Sequence, residues 1–283
     1  TGSGFRYFSP RLNRVARGKY MLEAELRDAV ANREFKTHFQ PKIDFQTGQV
    51  VGAEALARWV RPNGKIISPN TFIPLAEETG LVTQIGEQVL EAASESARIW
   101  MQEGFNATVA VNVSPRQFQY SDLTETVLAI LKRTGLPPNR LELEITESMA
   151  VSEPEKVARV MRPLRSLGTK LAIDDFGTGH SNLSILTQLP FDVFKIDRQF
   201  VSALESDEQA PAIIEMILAM AETLGLNTVA EGVETERQAD FLRRRGCSMA
   251  QGFLYSAGLP HEAFMDFIRG WSSKSEASRL KVG

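Results

Sequence analysis

The chain has 283 residues, 43% hydrophobic and 24% charged, which is ordinary globular usage and excludes disordered, collagen-like and low-complexity chains. Its net charge of -3, from 32 basic and 35 acidic residues, speaks against a strongly basic binder of nucleic-acid polymers. A single cysteine, Cys247, excludes an internal disulfide framework, and three scattered histidines, His38, His180 and His261, argue against a histidine-built zinc centre.

Residues 1–8 (TGSGFRYF) read as the end of a preceding unit, and a start at Thr1 suggests a piece of a longer protein. Ser9-Pro10 then supplies an N-cap and a favoured first helical residue. Leu12, Val15, Leu22, Leu26 and Ala29 recur at spacings of three and four, with Lys19 in the polar slot. That pattern suits either an amphipathic helix packed on its own domain or a connector helix that pairs with a second subunit. No signal peptide is visible. The longest mostly apolar stretch, 212–221, is broken by Glu215 and is shorter than the ~20 residues of a membrane span.

From Phe35 onward short apolar runs alternate with helical stretches. The runs are FKTHFQPKI, VVGAEALARW, TVAVNVS, LELEITE, KLAIDDF, DVFKID, NTVAEG and SMAQGF. Helical patterns at 84–103, 121–134, 154–167, 207–224 and 235–245 lie between most of them. Eight strands alternating with helices predict a (β/α)8 TIM-type barrel. The first two strands are joined only by 44–49, which makes a hairpin and not a crossover. The expected fold is therefore a modified barrel with an antiparallel first strand. It should occupy residues 32–272, after a linker helix with the tail of an upstream domain (1–31) and before a polar tail (273–283).

Nearly every expected strand carries a polar residue near its C-terminal end: Glu54, Asn112, Glu144, Asp174 with Asp175, Lys195 with Asp197, Glu231 and Gln251. Gln40 lies in the hairpin strand. Those ends form the catalytic face of a barrel. Two residues earlier stand Gly52, Ala110, Ala172, Val193, Val229 and Met249, which suit the interior beneath a site. Glu142, two before Glu144, breaks the pattern and has no explanation at this level.

The set Glu54, Asn112, Glu144, Asp174 and Asp175 offers only oxygen ligands, as Mg2+ or Mn2+ prefers. So many carboxylates in one place would repel each other without cations between them. Two metals ~3.5–4 Å apart would relieve that repulsion and suit in-line phosphoryl displacement. Lys195 could orient water or stabilise developing charge, and Arg58 could grip a phosphate. A Mg2+-dependent lyase of enolase type would use a similar barrel mouth, so the residues alone leave that class open.

The same residues fall in ordered blocks: FQP (39–41), GAEALARW around Glu54-Ala55-Leu56, FIPLAEETG (72–80), VNVS (111–114), LEITES (143–148), DDFGTG (174–179), KID (195–197), AEGVET (230–235) and QGF (251–253). Over about residues 33–270 the chain resembles the EAL domain family, the cyclic di-GMP phosphodiesterases of bacterial second-messenger signalling. The resemblance implies hydrolysis of cyclic di-GMP to linear pGpG with two Mg2+ or Mn2+ per site and inhibition by Ca2+. It places the metal ligands at Glu54, Asn112, Glu144, Asp174 and Asp175, and the general base at Glu231. Lys195, Asp197 and Glu234 match further catalytic positions. Gln40, Leu56, Arg58 and Gln251 match substrate contacts, and Glu147 the glutamate that holds the DDFGTG loop.

Departures are few: His180 and Asn182 replace the family's usual Tyr and Ser, and 257–260 reads AGLP in place of a KPLP-like segment. The resemblance also implies a homodimer, an upstream GGDEF or sensor domain, and a cytoplasmic location that leaves an inner-membrane anchor of the parent open. The alternative function is a cyclic di-GMP receptor that binds without cleaving. Because each ligand and base position is filled, the enzyme is the expectation. The run Arg243-Arg244-Arg245 reads as a basic helix C-terminus, and Cys247 as buried.

Overall fold

In the computed structural model, residues 10–120, 122–177 and 188–279 are described. The barrel begins with a tight reversal. The Asp44 carboxylate accepts hydrogen bonds from the Thr47 backbone N–H (2.6 Å) and hydroxyl (2.8 Å), a side-chain-closed turn of the kind aspartate favours. It joins β1 (Phe35–Asp44) to β2 (Val50–Val60) as the expected antiparallel hairpin, with Gln40 opposite Glu54 and Lys42 opposite Gly52.

After β2 and the short edge strand β3 (Ile66–Ile67), the strands run parallel. They are β4 (Thr108–Asn112), β5 (Leu141–Thr146), β6 (Lys170–Phe176), β7 (Val193–Ile196), β8 (Asn227–Ala230) and β9 (Met249–Ala250). β9 pairs antiparallel with β1 and closes the eight-stranded barrel. A two-residue strand, β10 (Leu259–Pro260), adds to the free part of β1 at His38–Phe39. The eight apolar runs of the sequence thus become the eight barrel strands.

The helices are α1 (Pro10–Ala31), α2 (Pro69–Thr79), α3 (Val82–Gln102), α4 (Pro115–Tyr120), α5 (Leu123–Thr134), α6 (Glu147–Ser152), α7 (Pro154–Ser166), α8 (Arg198–Ala203), α9 (Ala210–Leu224), α10 (Glu236–Arg244) and α11 (His261–Arg279). Outward-facing strand residues bury against them: Phe39 meets the rings of Trp100 and Phe264 at 5.0 and 5.7 Å. α1 packs on the barrel through buried Leu26, Ala29 and Val30, and its polar side pairs Lys19 with Glu78 (2.5 Å) and Glu25 with Arg61.

Inside the barrel a separate small cluster of Ala172, Val193 and Val229, with Met249 against it, forms the floor foreseen from the strand period. The segment set apart as a tail from residue 273 continues α11 to Arg279, because no proline or glycine interrupts it. Cys247 is buried, which raises its thiol to about 11, and Arg245 ends α10 with an ion pair to Glu215 (3.0 Å). The upstream-domain tail at 1–8, and the positions Thr178, His180 and Asn182, lie outside the described residues. Among the described residues no helix is long and apolar enough to cross a membrane.

Candidate active site

Parallel strands all point their C-terminal ends to one face, so residues far apart in sequence meet there. The Lys195 ammonium, from β7, stands in the centre. It is 2.6 Å from Glu144 (β5), 2.7 Å from Glu231 (after β8), 3.0 Å from Asp174 (β6) and 3.8 Å from Glu54 (β2). Glu54 accepts hydrogen bonds from the side-chain amides of Asn112 and Gln251, both 2.6 Å. The Gln251 amide also donates to Gln40 Oε1 (2.9 Å), and the Gln40 amide donates to the Ser256 carbonyl (3.0 Å).

Asp174 and Asp175 are adjacent, and a regular strand would send them to opposite sides. The β6–β7 register slips between Ile173 and Phe176, and Asp175 takes a left-handed backbone with φ 56°. That conformation is costly for a non-glycine residue and marks a functional segment. The Asp175 side chain meets Asp197, which also caps α8 by accepting the Gln199 N–H (2.7 Å). The following Gly177 N–H donates to Glu147 Oε2 (2.8 Å), which ties the segment to the start of α6.

The electrostatics follow from burial and crowding. Glu144 is wholly buried, yet two ammonium groups hold its carboxyl down at about 2. Burial pushes Glu231 up to about 8 against the pull of Lys195, and it also raises Glu54. Burial beside Asp174 and Asp197 lifts Asp175 to about 6. Lys195 is raised well above its ordinary value by the acids around it. The site carries more negative charge than its lysines neutralise, so cations are favoured there.

Arg58 and Leu56 share the inward-facing parity of Glu54 on β2 but stand beyond it. The half-buried Arg58 donates to the Ala57 carbonyl (2.9 Å), and both approach Gly258. A cleft of about 210 Å³ opens over Gln40, Glu54, Asp174, Glu231, Glu234 and Gln251. It is also lined by Arg198 and Phe253, which sequence reasoning did not single out. Arg198 follows the KID block directly, and Phe253 is a large aromatic 69% exposed. Gly232 and Gly252 complete the wall. A Cβ at Gly252 would lie 2.1 Å from the Val233 carbonyl oxygen, so only glycine fits this turn.

Lys42 is the other residue the sequence did not disclose. It reaches from β1 to Glu142 (2.7 Å) and Glu144 (2.8 Å), which answers the charge of Glu142.

Among the described residues the donor chemistry fits a hard divalent cation: carboxylates and carboxamide oxygens, with no thiolate and no imidazole. Gln251 Oε1 is buried with no hydrogen-bond partner among the described residues, an oxygen donor at the same place. As the side chains stand, the Lys195 ammonium takes the central position. Among the described residues no three His, Cys, Asp or Glu groups surround an open cation position.

A family model described as the EAL domain matches residues 23–257. The chain belongs to the EAL domain family. A relative from Pseudomonas aeruginosa, the bifunctional diguanylate cyclase/cyclic di-GMP phosphodiesterase MucR, is 41% identical over 264 residues, which cover 93% of this chain and 38% of MucR. The signaling protein YkoW of Bacillus subtilis is 40% identical over 94% of this chain and 33% of its own length. The chain therefore spans about a third of these curated relatives. Among solved structures, PaMucR phosphodiesterase in its c-di-GMP complex superposes with a TM-score of 0.83 at 42% identity, over 86% of this chain and 99% of that one. The EAL enzyme Bd1971, in a form with cAMP and cyclic-di-GMP bound, gives 0.84 at 30% identity over 90% and 70%.

Proposed function

We propose that this EAL domain hydrolyses cyclic di-GMP to linear pGpG in a reaction that needs Mg2+ or Mn2+. The observation that carries the reading is the convergence of Glu54, Glu144, Asp174 and Glu231 on one lysine at the barrel mouth. Glu54, Asn112, Glu144, Asp174 and Asp175 would hold two cations, which supply a polarised phosphoryl group and an acidified water. Glu231 accepts the proton of the attacking water. Lys195 orients that water and offsets charge on the phosphoryl oxygens. The water oxygen bonds to phosphorus, the bond from phosphorus to the ribose 3′ oxygen breaks, and that oxygen takes a proton from solvent to leave as the 3′ hydroxyl, while Glu231 releases the proton it accepted to solvent.

Arg198 is suited to a phosphate oxygen and exposed Phe253 to a base face, while Gln40 and Gln251 supply amide contacts in the same cleft. A homodimer, an upstream GGDEF or sensor domain before α1, and a cytoplasmic location complete the proposal. The bifunctional MucR relative and the short span of this chain support a multi-domain parent. The test is to incubate purified chain with cyclic di-GMP and Mg2+ and separate the products. Stoichiometric pGpG is expected. Tight binding with no product would return the receptor reading.

A further inference from the structure

Lys42 lies in a layer of its own, below the catalytic ring. With Gln40 two residues away it faces the barrel interior from β1, opposite Gly52 of β2, whose missing side chain leaves room for its chain. It is 3% exposed, and its ammonium is divided between Glu142 (2.7 Å) and Glu144 (2.8 Å). The two oxygens of Glu144 are thereby held separately, Oε1 by Lys42 and Oε2 by Lys195. Glu144 is 0% exposed, so in this arrangement its carboxylate is held by side chains and not by bulk solvent.

We propose that Lys42 is a positioning residue: from beneath, it holds the Glu144 carboxylate in one orientation as an oxygen donor to the catalytic cation, and Glu142 serves to balance the charge of Lys42. The proposal rests on the metal-dependent reading above. A lysine needed only to neutralise Glu142 would have no reason to sit on a second acid. A lysine needed only at Glu144 would leave the interior with no counter-charge below, and Glu142 supplies it. Outer partners of this kind typically change metal affinity or activity by ~10–100-fold when removed.

The experiment compares wild type, Glu142→Gln and the double variant Lys42→Met with Glu142→Met, in which the interior holds no unpaired charge at either position. Melting temperature checks folding, electron paramagnetic resonance titration measures Mn2+ binding, and steady-state kinetics separate kcat from KM. The double variant should fold, bind Mn2+ at least about tenfold more weakly and lose kcat with KM little changed. Glu142→Gln keeps the contact of Lys42 with Glu144 and should stay within about threefold of wild type in Mn2+ affinity. The inference is overturned if the double variant binds Mn2+ like wild type, or if Glu142→Gln weakens binding as much as the double variant does. A double variant that cannot fold also overturns it, since Lys42 would then serve the fold. A wild-type chain that binds no Mn2+ and cleaves nothing refutes the metal-dependent reading instead.

Discussion

Lys195 Nζ lies 2.7 Å from Glu231 Oε1, so the candidate base is paired with the cation that also holds Glu144 and Asp174. Burial lifts the Glu231 carboxyl to about 8 against that pull, and a divalent cation beside it would lower it again. Glu231→Gln keeps the size and the contact but cannot act as a base. Its kcat should fall by ~10²–10⁴-fold while cyclic di-GMP binding survives. Turnover at the wild-type rate would remove Glu231 from that role.

The same burial sets the pH response of the cation-free protein. Glu231 is raised from 4.5 to about 8, so the folded chain keeps a proton across that window which the unfolded chain has released. Stability falls wherever the folded state binds more protons and pH rises. Asp175, lifted to about 6, acts in the same direction over a narrower range. Glu144 acts oppositely: its carboxyl is held at about 2, so its contribution is present above its ordinary value and is lost below. In chelator, the melting temperature should fall between pH 5 and 8, and fall less in Glu231→Gln. A flat or rising curve would contradict this assignment.

Cation removal tests the donor set directly. EDTA should abolish activity, and Mg2+ or Mn2+ should restore it. Ca2+ should permit substrate binding with poor turnover, since it favours longer bonds and higher coordination than an octahedral ion. Robust hydrolysis in chelator would refute the two-cation reading.

Much of this site was legible in the sequence because barrel topology converts one local rule into a global one. A polar residue at the end of nearly every buried strand reports the face, and the small or apolar residue two positions earlier, on every such strand but β5, reports the floor. That is how Glu54, Asn112, Glu144 and Glu231 could be assigned to one mouth. Lys42 was illegible for a related reason. It lies near the C-terminal end of β1, and because β1 runs against the parallel barrel strands that end faces away from the mouth, so the end-of-strand rule does not apply; its partner Glu142 is on β5, with β2 and β4 between them. Arg198 opens the short helix after KID and Phe253 follows QG, beyond the strand ends that the pattern marks, and only the closed barrel brings them to one cleft.

Arg198 gives a separable test of substrate contact. It lines the cleft and pairs with no carboxylate among the described residues, and Gly232 packs so closely that a Cβ there would lie 2.6 Å from Arg198 Cβ. Arg198→Ala should raise KM for cyclic di-GMP by about tenfold with a smaller change in kcat, as expected when binding shared by ground and transition state is lost. An unchanged KM would place Arg198 outside the substrate path.

Glu147 connects the catalytic face to its neighbouring helix. The residue is 2% exposed, at the first turn of α6, and its Oε2 accepts the Gly177 N–H at 2.8 Å. Gly177 follows the pair Asp174 and Asp175 and has φ 93°, and Asp175 is itself left-handed, so this strained stretch needs an external hold. A hydrogen bond to a charged group contributes ~1.5–3 kcal/mol. That corresponds to a shift of ~10–150-fold in a two-state segment. A carboxylate that served only the α6 dipole could be replaced with little effect on chemistry, because such end effects are worth ~0.3–1 kcal/mol. Glu147→Ala should therefore stay folded yet lose most activity, and need more Mg2+ for what remains. Glu147→Gln retains an oxygen acceptor and should lose less. Oligomeric state, melting temperature and activity must be measured on the same sample. Full activity in a folded Glu147→Ala variant would show that the two aspartates hold their geometry without this bond.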